Sequence, residues 1–123
     1  MTRSELAAAI EHTNLKPEST PGDIDRLCDE AAEWGFHAVC VNPVFVSRAA
    51  GRLESTETVV VSVAGFPLGA SASAVKAAEA RRVIEEGAVE VDMVLRVGAL
   101  RAGELRAVRD DIAAVVDAAR SVR

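Results

Sequence analysis

Val89-Glu90-Val91-Asp92-Met93-Val94-Leu95 reads as a β-strand with two unlike faces. Successive strand residues project to opposite sides. Val89, Val91, Met93 and Leu95 therefore share one face, and Glu90, Asp92 and Val94 share the other. A strand covered by helices on both sides is apolar on both faces. A barrel strand turns one face to the helices and the other to an interior, where polar groups near the C-terminal strand ends build the active site. Burying two carboxylates without partners costs several kcal/mol, so the pattern favours the barrel arrangement. The plainer alternative is that one of the two pairs with an arginine at a strand end.

Working outward, the rest of the chain alternates helix and strand. Thr2–Ala9 reads as a short helix and Ile10–Leu15 as a strand. Thr20-Pro21-Gly22-Asp23 is a helix start, with Thr20 as N-cap and Pro21 in the first turn. Ile24, Leu27, Cys28, Ala31 and Ala32 give that helix one apolar face, and Gly35 ends it. His37–Asn42 is a second strand, followed by a helix from Pro43 to about Arg52. Thr58–Ala64 is a third strand. Gly65-Phe66-Pro67-Leu68-Gly69 is a loop with three breakers in five residues. Ser71 or Ser73 is expected to cap a helix reaching Glu86. Beyond the quoted strand, Val97–Gly103 reads as a connection. Glu104 to about Val122 is a last helix, with Leu105, Val108, Ile112, Val115 and Val116 expected on its buried face.

Alternating β and α elements imply parallel strands joined by right-handed crossovers. The fold class is α/β, TIM-barrel-like, with four β-α units after an N-terminal helix. Strand alternation assigns Glu11, Thr13, Cys40, Asn42, Ser62, Glu90 and Asp92 to the chemistry-bearing face. Closed barrels of this kind have eight strands and about 250 residues, whereas this chain has 123. Half a barrel leaves two strand edges open, an aggregation hazard. The expectation is a missing C-terminal half or association into a homo-oligomer.

Composition narrows the function classes. Half of the residues are hydrophobic, which supplies one core. Net charge is −5 without a basic cluster, which argues against nucleic acid or an anionic membrane as partner. Apolar runs are too short to span a bilayer. The first residues lack a signal-peptide core, and two cysteines make no disulfide framework. A cytoplasmic protein is expected. No His/Cys/Asp spacing supports a zinc site.

Four motifs, in order, carry a resemblance. They are Ile10-Glu11-His12-Thr13-Asn14-Leu15-Lys16-Pro17, Val39-Cys40-Val41-Asn42-Pro43, Gly65-Phe66-Pro67-Leu68-Gly69-Ala70, and Glu90-Val91-Asp92-Met93-Val94 with Gly98-Ala99-Leu100. Together they resemble the deoxyribose-phosphate aldolase family over essentially the whole chain. The resemblance implies a class I aldolase that uses no metal or other cofactor. It would reversibly cleave a sugar-phosphate substrate, 2-deoxy-D-ribose 5-phosphate, to glyceraldehyde 3-phosphate and acetaldehyde through a lysine Schiff base.

By the same resemblance, Asp92 relays protons at the reacting carbon, and Glu11, Thr13, Cys40 and Asn42 line the substrate pocket. Glu11 stands where the family usually has Asp. The family's Schiff-base lysine lies on a sixth strand, its partner lysine on a seventh, and its phosphate loops after the seventh and eighth. The chain ends before all of these and is expected to be inactive alone.

The remaining polar residues have structural readings. Lys16 sits in a solvated loop, and Lys76 is expected on a helix beside Glu79 and Arg81, either on a solvated face or paired with Glu79. His12 is expected to be hydrogen-bonded on the helix-facing side, and His37 to sit at the N-terminal strand end. Cys28 reads as core, and Trp34 as a packing residue at a helix end. The Gly65–Gly69 loop reads as a tight turn.

Overall fold

The structure, a computed structural model, describes residues 1–122. The helices are α1 (Arg3–Ala7), α2 (Pro21–Trp34), α3 (Val46–Leu53), α4 (Ser73–Glu85), α5 (Val97–Arg101) and α6 (Leu105–Arg120). The strands are β1 (Glu11–Asn14), β2 (Ala38–Val41), β3 (Val59–Ala64) and β4 (Glu90–Met93), in sheet order β1-β2-β3-β4. β1 pairs with β2, and β2 with β3, in parallel. Among the described residues, no helix is long and apolar enough to cross a membrane. The chain forms two compact units. The first is Met1–Ser62 with Glu86–Glu90, and the second is Val63–Glu85 with the chain from Val91 on.

In the first unit, α2 starts on a reciprocal capping box. Thr20 accepts from the Asp23 amide, and Asp23 accepts from the Thr20 amide. Gly35 closes the helix in the left-handed conformation at φ 67°. Ile24, Leu27, Cys28 and Ala31 are buried, whereas Ala32, assigned from its spacing to the same face, is exposed. All four residues of β2 are buried. The helix expected from Pro43 opens instead as a 3-10 turn, Pro43–Phe45, before α3 begins at Val46. α2 and α3 are tied on their exposed side by two bidentate pairs, Arg48 with Asp25 and Arg52 with Asp29. These pairs hold both carboxyls below the usual carboxylate range. Trp34 is 58% exposed and does not serve as core.

In the second unit, Ala64, Ala80 and Val115 form a buried cluster against which Val91 and Met93 pack. Val83 of α4 and Val108 and Ala118 of α6 are also buried. Three expectations fail here. Val97–Gly103 contains the helix α5. Ser73 is the first residue of α4, and its hydroxyl donates to Asp111. Leu105, Ile112 and Val116 are exposed, and α6 buries Val108, Asp111, Val115 and Ala118. The face predicted for α6 is rotated because a buried aspartate, Asp111, faces α4 beside the apolar Val115.

That aspartate answers to Lys76, which is fully buried rather than solvated. Its Nζ donates to Asp111 Oδ2 at 2.7 Å and to the Val94 carbonyl at 2.9 Å. Burial raises the Asp111 pKa, but hydrogen bonds from Lys76 and Ser73 and the charges of Lys76 and Arg96 outweigh it. The carboxyl ends below its ordinary value.

Candidate active site

β1 and β2 carry the candidate residues of the first unit. The register pairs Glu11 with Ala38 and Thr13 with Cys40, while His12 pairs with Val39 and Asn14 with Val41. Register partners share a face, so Glu11, Thr13, Ala38 and Cys40 lie on one side of the sheet. His12 lies on the other side, and its Nε2 is 2.7 Å from Glu30 of α2. That side is the helix side, and His12 has the hydrogen-bonded structural setting expected of it. Its ring also meets Phe36 edge-on at 5.3 Å.

Glu11 and Thr13 are exposed. The Thr13 hydroxyl donates to the Glu11 carbonyl at 3.0 Å, which ties the two positions together. Cys40 is a buried cysteine outside any disulfide, 2% exposed. Asn42 lies one residue past β2, half-buried at the entry to the 3-10 turn. Its carbonyl accepts from the Phe45 amide at 2.9 Å.

Ser62 is a correction. β3 pairs Cys40 with Val61 and Val41 with Ser62. Ser62 therefore shares the face of His12, Asn14 and Val41, opposite Cys40. Its hydroxyl donates to the Val41 carbonyl at 2.8 Å. Val59 and Val61 occupy the side assigned to it. Glu90 also has a local partner, since His37 Nε2 lies 2.9 Å from its Oε1. One of the two carboxylates thus pairs at a strand end, which was the plainer alternative, but with a histidine and not an arginine.

A cleft of about 590 Å³ opens beside β1 on the helix side, lined by His12, Asn14, Lys16, Ser19, Arg26 and Glu30 among others. Thr13 is the one candidate residue on its wall. Lys16 is exposed in its loop, as expected.

Asp92 belongs to the second unit. Its neighbours Val91 and Met93 turn to the Ala64–Ala80–Val115 cluster, so Asp92 faces away from α4 and α6, and it is exposed. The Gly65–Gly69 loop, the tight turn that was expected, is closed by a hydrogen bond from the Gly69 amide to the Gly65 carbonyl at 2.7 Å. Its Phe66–Pro67 peptide is cis. The Gly65 amide donates to Glu79 Oε1 at 2.9 Å. Sequence reasoning missed Lys76 and Asp111 as a pair. One signal was available, because Lys76 sits three residues after Ser73 and four before Ala80, on the buried side of α4.

The chain matches the model of the DeoC/LacD family aldolases over residues 6–123. It is 50% identical over 117 residues to the deoxyribose-phosphate aldolase of Natranaerobius thermophilus, covering 95% of this chain and 53% of that relative. It is 52% identical over 116 residues to the deoxyribose-phosphate aldolase of Thermotoga maritima, covering 94% of this chain and 47% of that one. Among solved structures, the tetrameric deoxyribose phosphate aldolase from Aeropyrum pernix superposes with a TM-score of 0.87 at 33% identity, over 98% of this chain and 50% of that one. The aldolase QR15 does so with a TM-score of 0.89 at 29% identity, over 96% of this chain and 52% of that one. The chain thus spans about half the length of the curated relatives it matches, and its four parallel β-α units are part of a TIM-barrel-type aldolase fold.

Proposed function

Since the chain belongs to the DeoC/LacD aldolase family, we propose that residues 1–123 are the N-terminal (βα)4 half of a deoxyribose-phosphate aldolase. The reaction is reversible cleavage of 2-deoxy-D-ribose 5-phosphate to glyceraldehyde 3-phosphate and acetaldehyde. A lysine amine condenses with the substrate carbonyl, and the resulting iminium accepts the electron pair released when the carbon–carbon bond breaks. That amine has to be unprotonated, which requires desolvation or a neighbouring cation.

Neither lysine of this chain suits the role. Lys16 is exposed in a loop, and the Lys76 amine is committed to Asp111 and the Val94 carbonyl. The nucleophile is therefore assigned to the half of the relatives that this chain does not cover. Asp92 contributes the proton relay at the reacting carbon. Glu11, Thr13, Cys40 and Asn42 contribute pocket wall. The observation that carries this reading is the exposed Asp92, on the strand face turned away from α4 and α6.

The test is reconstitution. The chain is co-expressed with the C-terminal half of the Thermotoga maritima relative, and release of glyceraldehyde 3-phosphate is followed. We expect turnover from the pair and a loss of about a hundredfold or more in the Asp92→Asn pair, in line with proton-transfer contributions. Equal turnover by the Asp92→Asn pair would overturn the assignment. The chain alone, treated with substrate and borohydride, should give no adduct on Lys16 or Lys76.

A second reading is a non-catalytic half that assembles with its own copies. It is favoured by β1, which ends the sheet order and so presents an open edge. Sedimentation decides it, because a stable monomer at micromolar concentration would remove it.

A further inference from the structure

Val94 follows the last residue of β4 and stands two residues after Asp92. Its amide donates to the Ala64 carbonyl at 2.9 Å, and its carbonyl receives Lys76 Nζ at 2.9 Å. Lys76 reaches it from α4, with a fully buried side chain. The aliphatic stem passes over Gly65, where a Cβ would fall 2.9 Å from Lys76 Cε. The same ammonium donates to Asp111 Oδ2, and Asp111 Oδ1 accepts from Ser73. Ser73 in turn accepts from Arg96 Nη2 at 3.0 Å. The residues on either side of Leu95 are thus both anchored, Val94 through its carbonyl and Arg96 through its guanidinium.

A buried ion pair is a poor stabiliser. Desolvating each charge costs several kcal/mol, and an apolar pair of similar volume often serves stability as well or better. What an apolar pair cannot supply is a bond to a carbonyl just past the end of a strand. We propose that Lys76, held by Asp111, is a positioning residue, whose ammonium fixes the Val94 carbonyl and thereby the end of the strand that carries Asp92. The consequence for turnover rests on the aldolase reading, while the structural consequence does not.

The test compares the full chain with Lys76→Met and with the double variant Lys76→Met/Asp111→Leu, which restores an apolar interior if the single variant unfolds. Amide hydrogen exchange is read by NMR alongside the urea midpoint. In the double variant we expect the Val94 amide to exchange about tenfold faster or more, with Val39 and Cys40 of β2 and the urea midpoint unchanged. In the reconstituted pair we expect kcat to fall about tenfold with KM unchanged. Wild-type exchange at Val94, or an acceleration shared equally by β2, would overturn the proposal, as would an unchanged kcat. A wild-type pair without turnover would count against the aldolase reading instead, and the exchange result would still decide this one.

Discussion

Lys76 Nζ lies 2.7 Å from Asp111 Oδ2, and neither side chain has any solvent exposure. Asp111 is held below its ordinary value of 3.8. A carboxyl whose pKa is depressed on folding contributes stability that is present above the unfolded value. That contribution is lost as pH falls through the folded value. The wild-type chain should therefore lose stability steeply below about pH 4. Asp111→Asn should be less stable at pH 7 and should show a flatter decline between pH 5 and pH 2. Urea midpoints across that range check the difference in slope, and parallel curves for the two proteins would contradict it.

Gly69 tests backbone space rather than charge. Its φ is 66°, and a Cβ there would stand 2.1 Å from the Leu95 carbonyl oxygen. Gly103 has a similar φ of 75°, and beyond its chain neighbours a Cβ there would meet no atom of the described residues within 4 Å. Gly103→Ala therefore carries only the left-handed backbone cost, about 1 kcal/mol. Gly69→Ala adds displacement of the chain after β4, for a total of about 3 kcal/mol or more. Chemical denaturation of the two variants side by side measures the gap.

Much of this architecture was legible in the residues. Thr20, Pro21 and Gly35 fix the ends of α2 through cap chemistry that acts within one turn, so local sequence suffices. The alternation around Asp92 set its face correctly, because Val91 and Met93 are unambiguous core partners. Sheet register was not legible. Ser62 looked like a member of the Cys40 face because it is polar, yet register pairs it with Val41, whose carbonyl satisfies the hydroxyl. The buried face of α6 was misread for a related reason. Asp111 counts as a surface residue until its partner Lys76, 35 positions away, is brought to it. Interactions closed within a turn can be read from the chain, whereas those closed by long-range pairing need the fold.

Cys28 gives a chemical readout of α2 packing. The thiol is 1% exposed. Burial, together with the nearby charges of Asp25 and Asp29, pushes it up to about 11. A thiol so placed is both shielded and protonated at pH 8. Iodoacetamide should leave Cys28 unmodified in the folded chain and alkylate it in urea. Peptide mass mapping locates the label, and rapid native alkylation of Cys28 would show that α2 opens readily.

Ser62 separates a structural hydroxyl from a pocket hydroxyl. Its side chain is fully buried, and its hydroxyl donates to the Val41 carbonyl of the adjacent strand. Removing the hydroxyl in Ser62→Ala forfeits about 1 kcal/mol of hydrogen bonding. Ser62→Val keeps the loss and adds volume to a site already packed, which costs a further 1 kcal/mol or so. In the reconstituted pair, Ser62→Ala should leave KM for the sugar phosphate unchanged while lowering the urea midpoint. Thr13→Ala and Cys40→Ala, on the opposite face, should raise KM. A KM rise in Ser62→Ala matching theirs would mean that the hydroxyl faces substrate, against the register that pairs it with Val41.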